Sequence, residues 1–120
     1  MVVAGLPEPR PDHAHILVKM SAKLIEIANE YNDHEGNPIQ LRIGIHSGPA
    51  VSGVIGKSKF AFDVWGDTIN TAARLESNGE PGKIHLSQKT FDQLQRDLFP
   101  GAESQSVDIK GKGVMKTFLI

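Results

Sequence analysis

The sequence predicts an α+β domain in which helices pack against one face of a β-sheet. Apolar residues recur with helical period in residues 13–32, and they alternate with polar residues in residues 41–47. Short apolar runs bounded by glycine and proline follow along the rest of the chain. In order, these patterns predict a strand, a helix, two strands, a helix, a strand, a helix and two strands. The length of 120 residues and the hydrophobic fraction of 39% are typical of one globular domain.

Composition argues against several classes of function. The formal net charge is −1, so no global basic excess indicates binding to nucleic acid or to an anionic membrane surface. The chain has no cysteine, which excludes disulfides and thiolate metal sites. No apolar run approaches the roughly 18 residues that a membrane span requires, and the first residues lack the basic start of a signal peptide. We therefore expect this segment to contact neither nucleic acid nor a membrane.

The first part of the chain predicts a strand, a loop and a long helix. Residues 1–4 have the pattern of a β-strand already under way, which suggests a domain fragment, and the alternative is a short N-terminal edge strand. Residues 5–12 contain three prolines and predict an ordered loop, in which Asp12 is placed to cap the next helix. That helix is predicted over residues 13–32 from the apolar positions Ile16, Leu17, Met20, Leu24, Ile27 and Ala28.

The middle of the chain predicts a strand over residues 41–47 that continues over residues 50–55 after a turn or bulge at Gly48-Pro49. A second strand is predicted over residues 59–65, after a turn at residues 56–58. Residues 53–58 (GVIGKS) imitate the phosphate-binding P-loop G-x-x-x-x-G-K-[ST], but the first glycine of that motif would fall where Val51 stands. A P-loop must also lead into a helix, whereas a strand pattern follows Ser58. A β-turn is therefore the better interpretation.

The last part of the chain alternates helices and strands. A helix is predicted over residues 67–77, and residues 78–82 (NGEPG) end it. A short strand over residues 83–86 leads to Ser87, which is expected to cap a helix that continues to about Leu94. The final strands, over residues 107–110 and 114–119, flank a tight hairpin turn at residues 111–113 (GKG).

The histidines are weak candidates for chemistry. His13 and His15 are two residues apart and do not share a helix face, so surface or packing roles are favoured over metal binding. His46 lies in a predicted strand without a nearby nucleophile pattern, which favours a packed or edge histidine. Clustered carboxylates of a metal site are not apparent in the sequence, so a metal site within the chain is not expected.

Four polar residues stand out at specific positions. Asn70 and Arg74 lie four residues apart and share one face of the predicted helix, where a solvent-facing amide and a surface ion pair are the alternative. Asp63 interrupts an otherwise apolar strand, so it is either exposed at an edge or paired with a ligand donor. Lys110 precedes the hairpin turn, where it is either solvated or able to reach a phosphate.

The run FDVWGDTINTAARLES, with LRIGIHSGPAVSGVIG before it and GKIHLSQ and IKGKG after it, resembles the catalytic domain of class III nucleotidyl cyclases. The resemblance covers nearly the whole chain and implies a ferredoxin-like α+β cyclase homology domain. The opening residues resemble the third strand of that domain, so we expect a fold truncated on its N-terminal side, with residues 1–120 as a partial catalytic domain.

The resemblance also implies a role for each of the four residues. Asp63 resembles the residue that accepts a hydrogen bond from the adenine amino group, and because guanylate-specific members typically have cysteine there, it favours ATP. Asn70 resembles the asparagine that orients the ribose, and Arg74 the arginine that stabilises charge on the α-phosphate. Lys110 resembles the lysine that holds the terminal phosphates. The implied reaction converts ATP to 3′,5′-cyclic AMP and pyrophosphate. The domain is expected to be cytoplasmic, in a parent protein for which a membrane anchor is left open.

The chain departs from the family pattern in one respect. Class III cyclases bind two Mg²⁺ or Mn²⁺ ions through two aspartates and select the purine with a second residue, usually lysine in adenylate cyclases. None of these can be placed in this sequence. The family builds its sites at the interface of a homodimer or of two partnered cyclase domains, so we expect this chain to supply half of each site and to be inactive alone. The rival interpretations are a non-catalytic cyclase-like nucleotide-binding or dimerisation module and an unrelated ferredoxin-like ligand-binding domain.

Overall fold

The computed structural model describes residues 1–58 and 61–120. Its elements, in chain order, are α1 (His13–Ala28), β1 (Ile43–Ile45), β2 (Val51–Ile55), β3 (Ala61–Trp65), α2 (Asp67–Ser77), β4 (Ile84–Ser87), α3 (Gln88–Phe91), a 3₁₀ turn (Arg96–Leu98), β5 (Glu103–Ile109) and β6 (Gly113–Leu119).

Four of the strands form one mixed sheet in the order β1-β4-β6-β5. Strand β4 runs parallel to β1, with Ile43 opposite Ile84, and antiparallel to β6, with His85 opposite Leu119. Strands β5 and β6 form a long antiparallel hairpin. The remaining two strands, β2 and β3, form a separate antiparallel pair in which Gly53 lies opposite Asp63.

One face of the four-stranded sheet is covered by α1 and α3. Ala14 and Val18 of α1 lie four residues apart and are buried, as the helical period predicts. Phe91 of α3 stacks on Phe118 of β6 with ring centroids 4.0 Å apart. The core on this face consists of Ala14, Val18, Ile45, Ile84, Leu86, Phe91, Leu94 and Phe118.

The opposite face is covered by α2, so the expectation that the helices share one face is wrong. Side chains alternate along a strand, which places Gly44 and His85 on the face opposite Ile45 and Leu86. A Cβ built on Gly44 would lie 2.2 Å from the backbone nitrogen of Glu76 in α2. All four residues of β4 are buried, because a central strand is buried when elements cover both sides of the sheet.

The predicted N-terminal strand is also wrong. Residues 1–4 form no strand and instead line an apolar cavity of about 450 Å³, together with residues of α1, β1 and α2. A strand exists through pairing with a neighbour, and these four residues make no ladder with β1. Their apolar pattern reflects contact with the cavity.

The first helix is shorter than predicted and is capped differently. It ends at Ala28 rather than residue 32, because the amides of Glu30 and Tyr31 bond to carbonyls three residues back and tighten the last turn. Asp12 occupies the N-cap position without a side-chain capping bond. Its carboxylate instead accepts from Arg10 Nε at 2.7 Å, which also lowers the pKa of Asp12 through that hydrogen bond.

The second half of the chain matches the sequence pattern more closely. The predicted helix over residues 67–77 is confirmed with the same bounds, and Ser87 caps α3 by accepting from the Thr90 amide. Helix α3 ends at Phe91, and β5 begins at Glu103 rather than residue 107 because its polar first half pairs with β6. The strand predicted over residues 59–65 is confirmed for Ala61–Trp65, while residues 59 and 60 lie outside the described residues.

The hairpin between β5 and β6 has the turn that the sequence predicts. The Lys112 amide donates to the Ile109 carbonyl at 2.8 Å. Gly111 and Gly113 have φ angles of 82° and 73°, a left-handed conformation that favours glycine. In the described part of the chain, no helix has both the length and the apolar character needed to cross a membrane.

Candidate active site

A cleft of about 530 Å³ lies between α2 and the turn that joins β5 to β6. It is lined by Asn70 and Arg74 from the helix and by Lys110 from the turn, together with Asp67 and Lys112. The structure therefore brings together three of the four residues that the sequence singled out, although the turn is far from the helix in sequence.

The helical period explains why Asn70 and Arg74 face the cleft. Thr68, Thr71 and Leu75 point toward the sheet and are buried, which turns the face that carries positions 70 and 74 outward. Both side chains are exposed, and among the described residues neither makes a side-chain hydrogen bond or ion pair. The amide and the guanidinium are thus available to a ligand.

A buried histidine fixes α2 to the sheet. His85 has no exposed surface, and its Nδ1 lies 2.8 Å from the carbonyl oxygen of Leu75, the residue after Arg74. Because a carbonyl can only accept, Nδ1 donates, and in the neutral ring Nε2 accepts from the Thr117 hydroxyl at 2.8 Å. The sequence pattern gave no indication of this role, since GKIHLS could be interpreted only as a strand.

The cleft carries an excess of positive charge. Among the described lining residues, Arg74, Lys110 and Lys112 are cationic and Asp67 is anionic. Lys112 pairs with Asp67, whereas Lys110 is exposed at the turn. A guanidinium and an ammonium converging on one cleft are suited to binding phosphate oxygens.

Asp63 does not line this cleft. Its side chain is exposed on β3, and its carboxylate accepts from the Val64 amide at 2.8 Å. Val64 is buried and points to the other side of the strand, as alternation requires. The structure therefore does not enclose Asp63 in an apolar slot within the chain, and the edge-exposed alternative describes its position.

Two of the other histidines, His13 and His46, have local hydrogen-bond partners. His46 is half-buried with Nδ1 2.8 Å from Ser87 Oγ, so the expectation of a packed histidine is confirmed. Burial, together with the positive charge of Lys89, lowers the pKa of His46. His13 Nδ1 donates to the Arg10 carbonyl at 2.9 Å, and His15 is exposed.

The described residues do not form a site for two metal ions. They contain no group of three or more histidine, cysteine, aspartate or glutamate side chains that could hold a cation. The carboxylate that they contribute to the cleft, Asp67, is already paired with Lys112. The metal ions that class III cyclases use do not fit the donors present in this part of the molecule.

The fold and the cleft together define an α+β domain with a cationic cleft suited to phosphate oxygens. The family model for the adenylate and guanylate cyclase catalytic domain matches residues 1–120. The chain belongs to that family, a group of lyases that form cyclic nucleotides in signal transduction, and the expected α+β cyclase fold is confirmed.

Relatives of the chain include both adenylate and guanylate cyclases. An adenylate cyclase of Mycobacterium tuberculosis is 41% identical over 120 residues. The guanylate cyclase domain of RhGC from Catenaria anguillulae, solved in complex with GTP, is 36% identical over 96% of this chain with a TM-score of 0.80. A non-canonical dimeric guanylyl cyclase domain of the RhoGC fusion protein from Blastocladiella emersonii is 32% identical over 97% of the chain, with a TM-score of 0.75.

The chain spans part of each relative. It covers 27% of the length of the mycobacterial cyclase and 63% and 62% of the two solved guanylate cyclase chains. The match of the family model to residues 1–120 establishes the family, while nucleotide binding and a dimeric domain are described for the solved relatives.

Proposed function

We propose that this chain is part of an adenylate cyclase catalytic domain and supplies half of an active site that converts ATP to 3′,5′-cyclic AMP and pyrophosphate. The observation that carries the proposal is the meeting of Asn70, Arg74 and Lys110 in one cationic cleft, in a chain of the cyclase family. Residues 1–120 would then be a partial catalytic domain, cytoplasmic as expected from the sequence.

The three cleft residues have complementary tasks in this reaction. The ribose 3′-hydroxyl loses its proton to water, and its oxygen forms a bond to the α-phosphorus. The bond between the α-phosphorus and the oxygen that bridges it to the β-phosphorus breaks, and pyrophosphate leaves with that electron pair. Negative charge therefore grows on the oxygens around the α-phosphorus and on the leaving group. Arg74 stabilises the charge on the oxygens of the α-phosphate, Lys110 binds the terminal phosphates, and Asn70 orients the ribose. A preorganised charge contact of this kind typically contributes about 10²–10³-fold in rate.

Asp63 supports ATP as the substrate. A carboxylate accepts hydrogen bonds, and the exocyclic amine of adenine donates them. The residue is exposed on β3 and outside the phosphate cleft, so this role requires a second subunit to bring the base against it. The proposed assignment therefore depends on a dimer.

The strand pair β2–β3 supports such a dimer. It exposes the apolar side chains of Val51, Val54 and Trp65, which are 54%, 63% and 42% accessible. Exposed apolar patches typically mark interaction sites. We propose that this surface packs against a second copy or a partnered cyclase domain, so that the base-reading strand lies at the interface.

The two Mg²⁺ or Mn²⁺ ions would be bound by carboxylates outside the described residues. The motivation is the absence of a suitable donor group in residues 1–58 and 61–120. In the shared site, the half that binds the metals and the half that carries Asn70 and Arg74 come from different subunits.

A complementation experiment tests this proposal. The chain is mixed with an adenylate cyclase domain that retains its metal-binding aspartates but lacks its own asparagine and arginine, and association is verified by size-exclusion chromatography. We expect the associated pair to form cyclic AMP from ATP and Mn²⁺. The rate should fall about 10²–10³-fold in the Arg74→Ala variant and stay unchanged in the control variant Arg10→Ala. Associated subunits that form no cyclic AMP would contradict the proposal.

A second candidate is a non-catalytic, nucleotide-binding member of the family. The absence of a metal-ligand group among the described residues favours it. In the same experiment this candidate predicts that the associated pair binds ATP, with an affinity that falls in Arg74→Ala, and forms no cyclic nucleotide.

A further inference from the structure

The ion pair between Asp67 and Lys112 links the two walls of the cleft. Asp67 is the first residue of α2, and Lys112 lies in the turn between β5 and β6, 45 residues away in the sequence. The pair bridges two elements that the cleft separates, so it affects the shape of the cleft as well as the charge of the cleft.

We propose that Asp67 is a positioning residue: its ion pair with Lys112 holds the turn against α2 and so keeps Lys110 in place to bind the terminal phosphates. This inference rests on the proposed function for the identity of the ligand. The link between helix and turn itself does not depend on a nucleotide.

A carboxylate in a cleft for phosphate requires an explanation. Asp67 repels the anionic ligand that the other charges attract, so a site selected for electrostatics alone would carry a neutral residue there. Asp67 also lies in the first turn of α2, where the helix dipole stabilises an anion, and that position allows it to remain charged beside Lys112.

A single contact at Lys112 can restrain the turn between β5 and β6. Its backbone is closed by the bond from the Lys112 amide to the Ile109 carbonyl, and Ile109 is fully buried beneath it. Lys110 lies between these two residues, and among the described residues its side chain makes no hydrogen bond or ion pair. Fixing Lys112 to the helix therefore restrains the segment that carries Lys110.

The alternative is that the pair is an incidental surface contact. Exposed ion pairs contribute little to global stability, and the Asp67 side chain is 68% exposed. The two interpretations predict opposite changes in phosphate affinity for the Asp67→Asn variant. Without a positioning role, Asp67→Asn removes a repulsive charge and should tighten phosphate binding, whereas loss of the restraint should weaken it.

The first measurement is hydrogen exchange of the amides of residues 110–113 in the ligand-free chain. We expect about two- to fivefold faster exchange in Asp67→Asn and in Lys112→Met, the range that corresponds to an exposed ion pair. The charge-swapped double variant Asp67→Lys with Lys112→Asp should exchange more slowly than either single variant, without reaching the wild-type rate, because a lysine in the first turn of α2 meets the positive end of the helix dipole. Asp108→Asn removes the same charge from the exposed strand beside the turn, and it should leave exchange unchanged. Equal exchange in wild type and Asp67→Asn would overturn the proposal.

The second measurement is binding of inorganic tripolyphosphate and of ATP, by calorimetry, to the same variants. We expect Asp67→Asn to bind both ligands several-fold more weakly than wild type, while Asp108→Asn binds them equally or more tightly. Tighter binding by Asp67→Asn would overturn the positioning role. Faster exchange in Asp67→Asn, combined with no binding of either ligand by the wild-type chain, would retain the restraint but count against the proposed function.

Discussion

Asn70 and Arg74 illustrate how a single helix can serve the core and the site at once. Their neighbours Thr71 and Leu75 are buried against the sheet, and the two site residues occupy the outward face. The spacing of four was visible in the sequence, and it suffices to predict that the side chains are neighbours. Their roles toward a nucleotide stay predictions, because the structure gives their positions and not their ligand.

The role of Asp63 in reading the base is tested by changing substrate preference. In an active dimer that contains this chain, Asp63→Cys, with a matching change at the second purine-selecting residue, should shift the ATP-to-GTP ratio of kcat/KM toward GTP. The expected shift is on the order of 10²-fold or more, because the wrong base leaves buried polar groups unpaired. The control is Asp97→Cys, an exposed position away from β3. An unchanged ratio in the double variant would mean that Asp63 does not contact the base.

His46 should make stability depend on pH in the weakly acidic range. Its pKa is lowered chiefly by burial, so the unfolded chain binds its proton more readily than the folded chain. This contribution to stability is therefore fully present above the ordinary pKa of about 6.5 and is lost as pH falls through the lowered value. We expect the Tm of the wild-type chain to drop more than that of His46→Asn between pH 8 and pH 5, by differential scanning fluorimetry. Parallel curves for the two proteins would show that His46 is not responsible.

At the scale of the elements, the close packing of α2 on β1 determines where the cleft lies. Gly44 permits this approach because it has no side chain, and a Cβ there would also lie 2.6 Å from the Ala72 carbonyl. His85 adds a directional contact between β4 and α2 through the Leu75 carbonyl. The positions of Asn70 and Arg74 relative to the β5–β6 turn are therefore set by the sheet beneath them.

Gly44→Ala should destabilise the chain strongly. The added methyl group meets backbone atoms of α2, which cannot rotate away, so the helix must shift; overpacking of this kind typically costs about 1–3 kcal/mol. The matched control is Gly101→Ala, where a Cβ meets nothing within 4 Å and φ is not positive. Urea unfolding followed by circular dichroism measures both. Similar midpoints for the two variants would show that the β1–α2 contact is not tightly packed.

At the scale of the whole molecule, the site is incomplete within the described chain. The cationic cleft and the strand that carries Asp63 are separate surfaces, and a metal-ligand group is absent from the residues that the structure describes. The exposed apolar side chains of β2 and β3 lie beside Asp63, whose proposed role is to read the base. These features are consistent with a site completed by a second subunit.

The chain alone should therefore form no cyclic AMP from ATP and Mn²⁺. Because the described residues form no metal-binding group, the proposed phosphate contacts of Arg74 and Lys110 supply only one half of the reaction's requirements. The measurement is cyclic AMP formation by the purified chain, compared with its Arg74→Ala variant at equal concentration. Metal-dependent turnover by the wild-type chain above that variant would contradict the proposed division of the site.

The sequence by itself determined the features that depend on neighbouring residues. The bounds of α2, the shared face of Asn70 and Arg74, the Ser87 cap and the glycine turn follow from helical period, side-chain capping and the permitted φ angles of glycine. The family resemblance extended this to the cyclase fold, while relatives of both kinds leave ATP specificity a proposal.

The tertiary structure alone decided which distant residues meet. It placed helices on both faces of the sheet, joined Asp67 to Lys112, set His85 between α2 and β6, and left Asp63 exposed. A periodic pattern specifies which side of an element is buried, but not which partner covers it, because partners far apart in the chain are chosen by the packing of the whole domain. The same reason explains the error at residues 1–4, whose apolar pattern fits a strand or a cavity lining equally well.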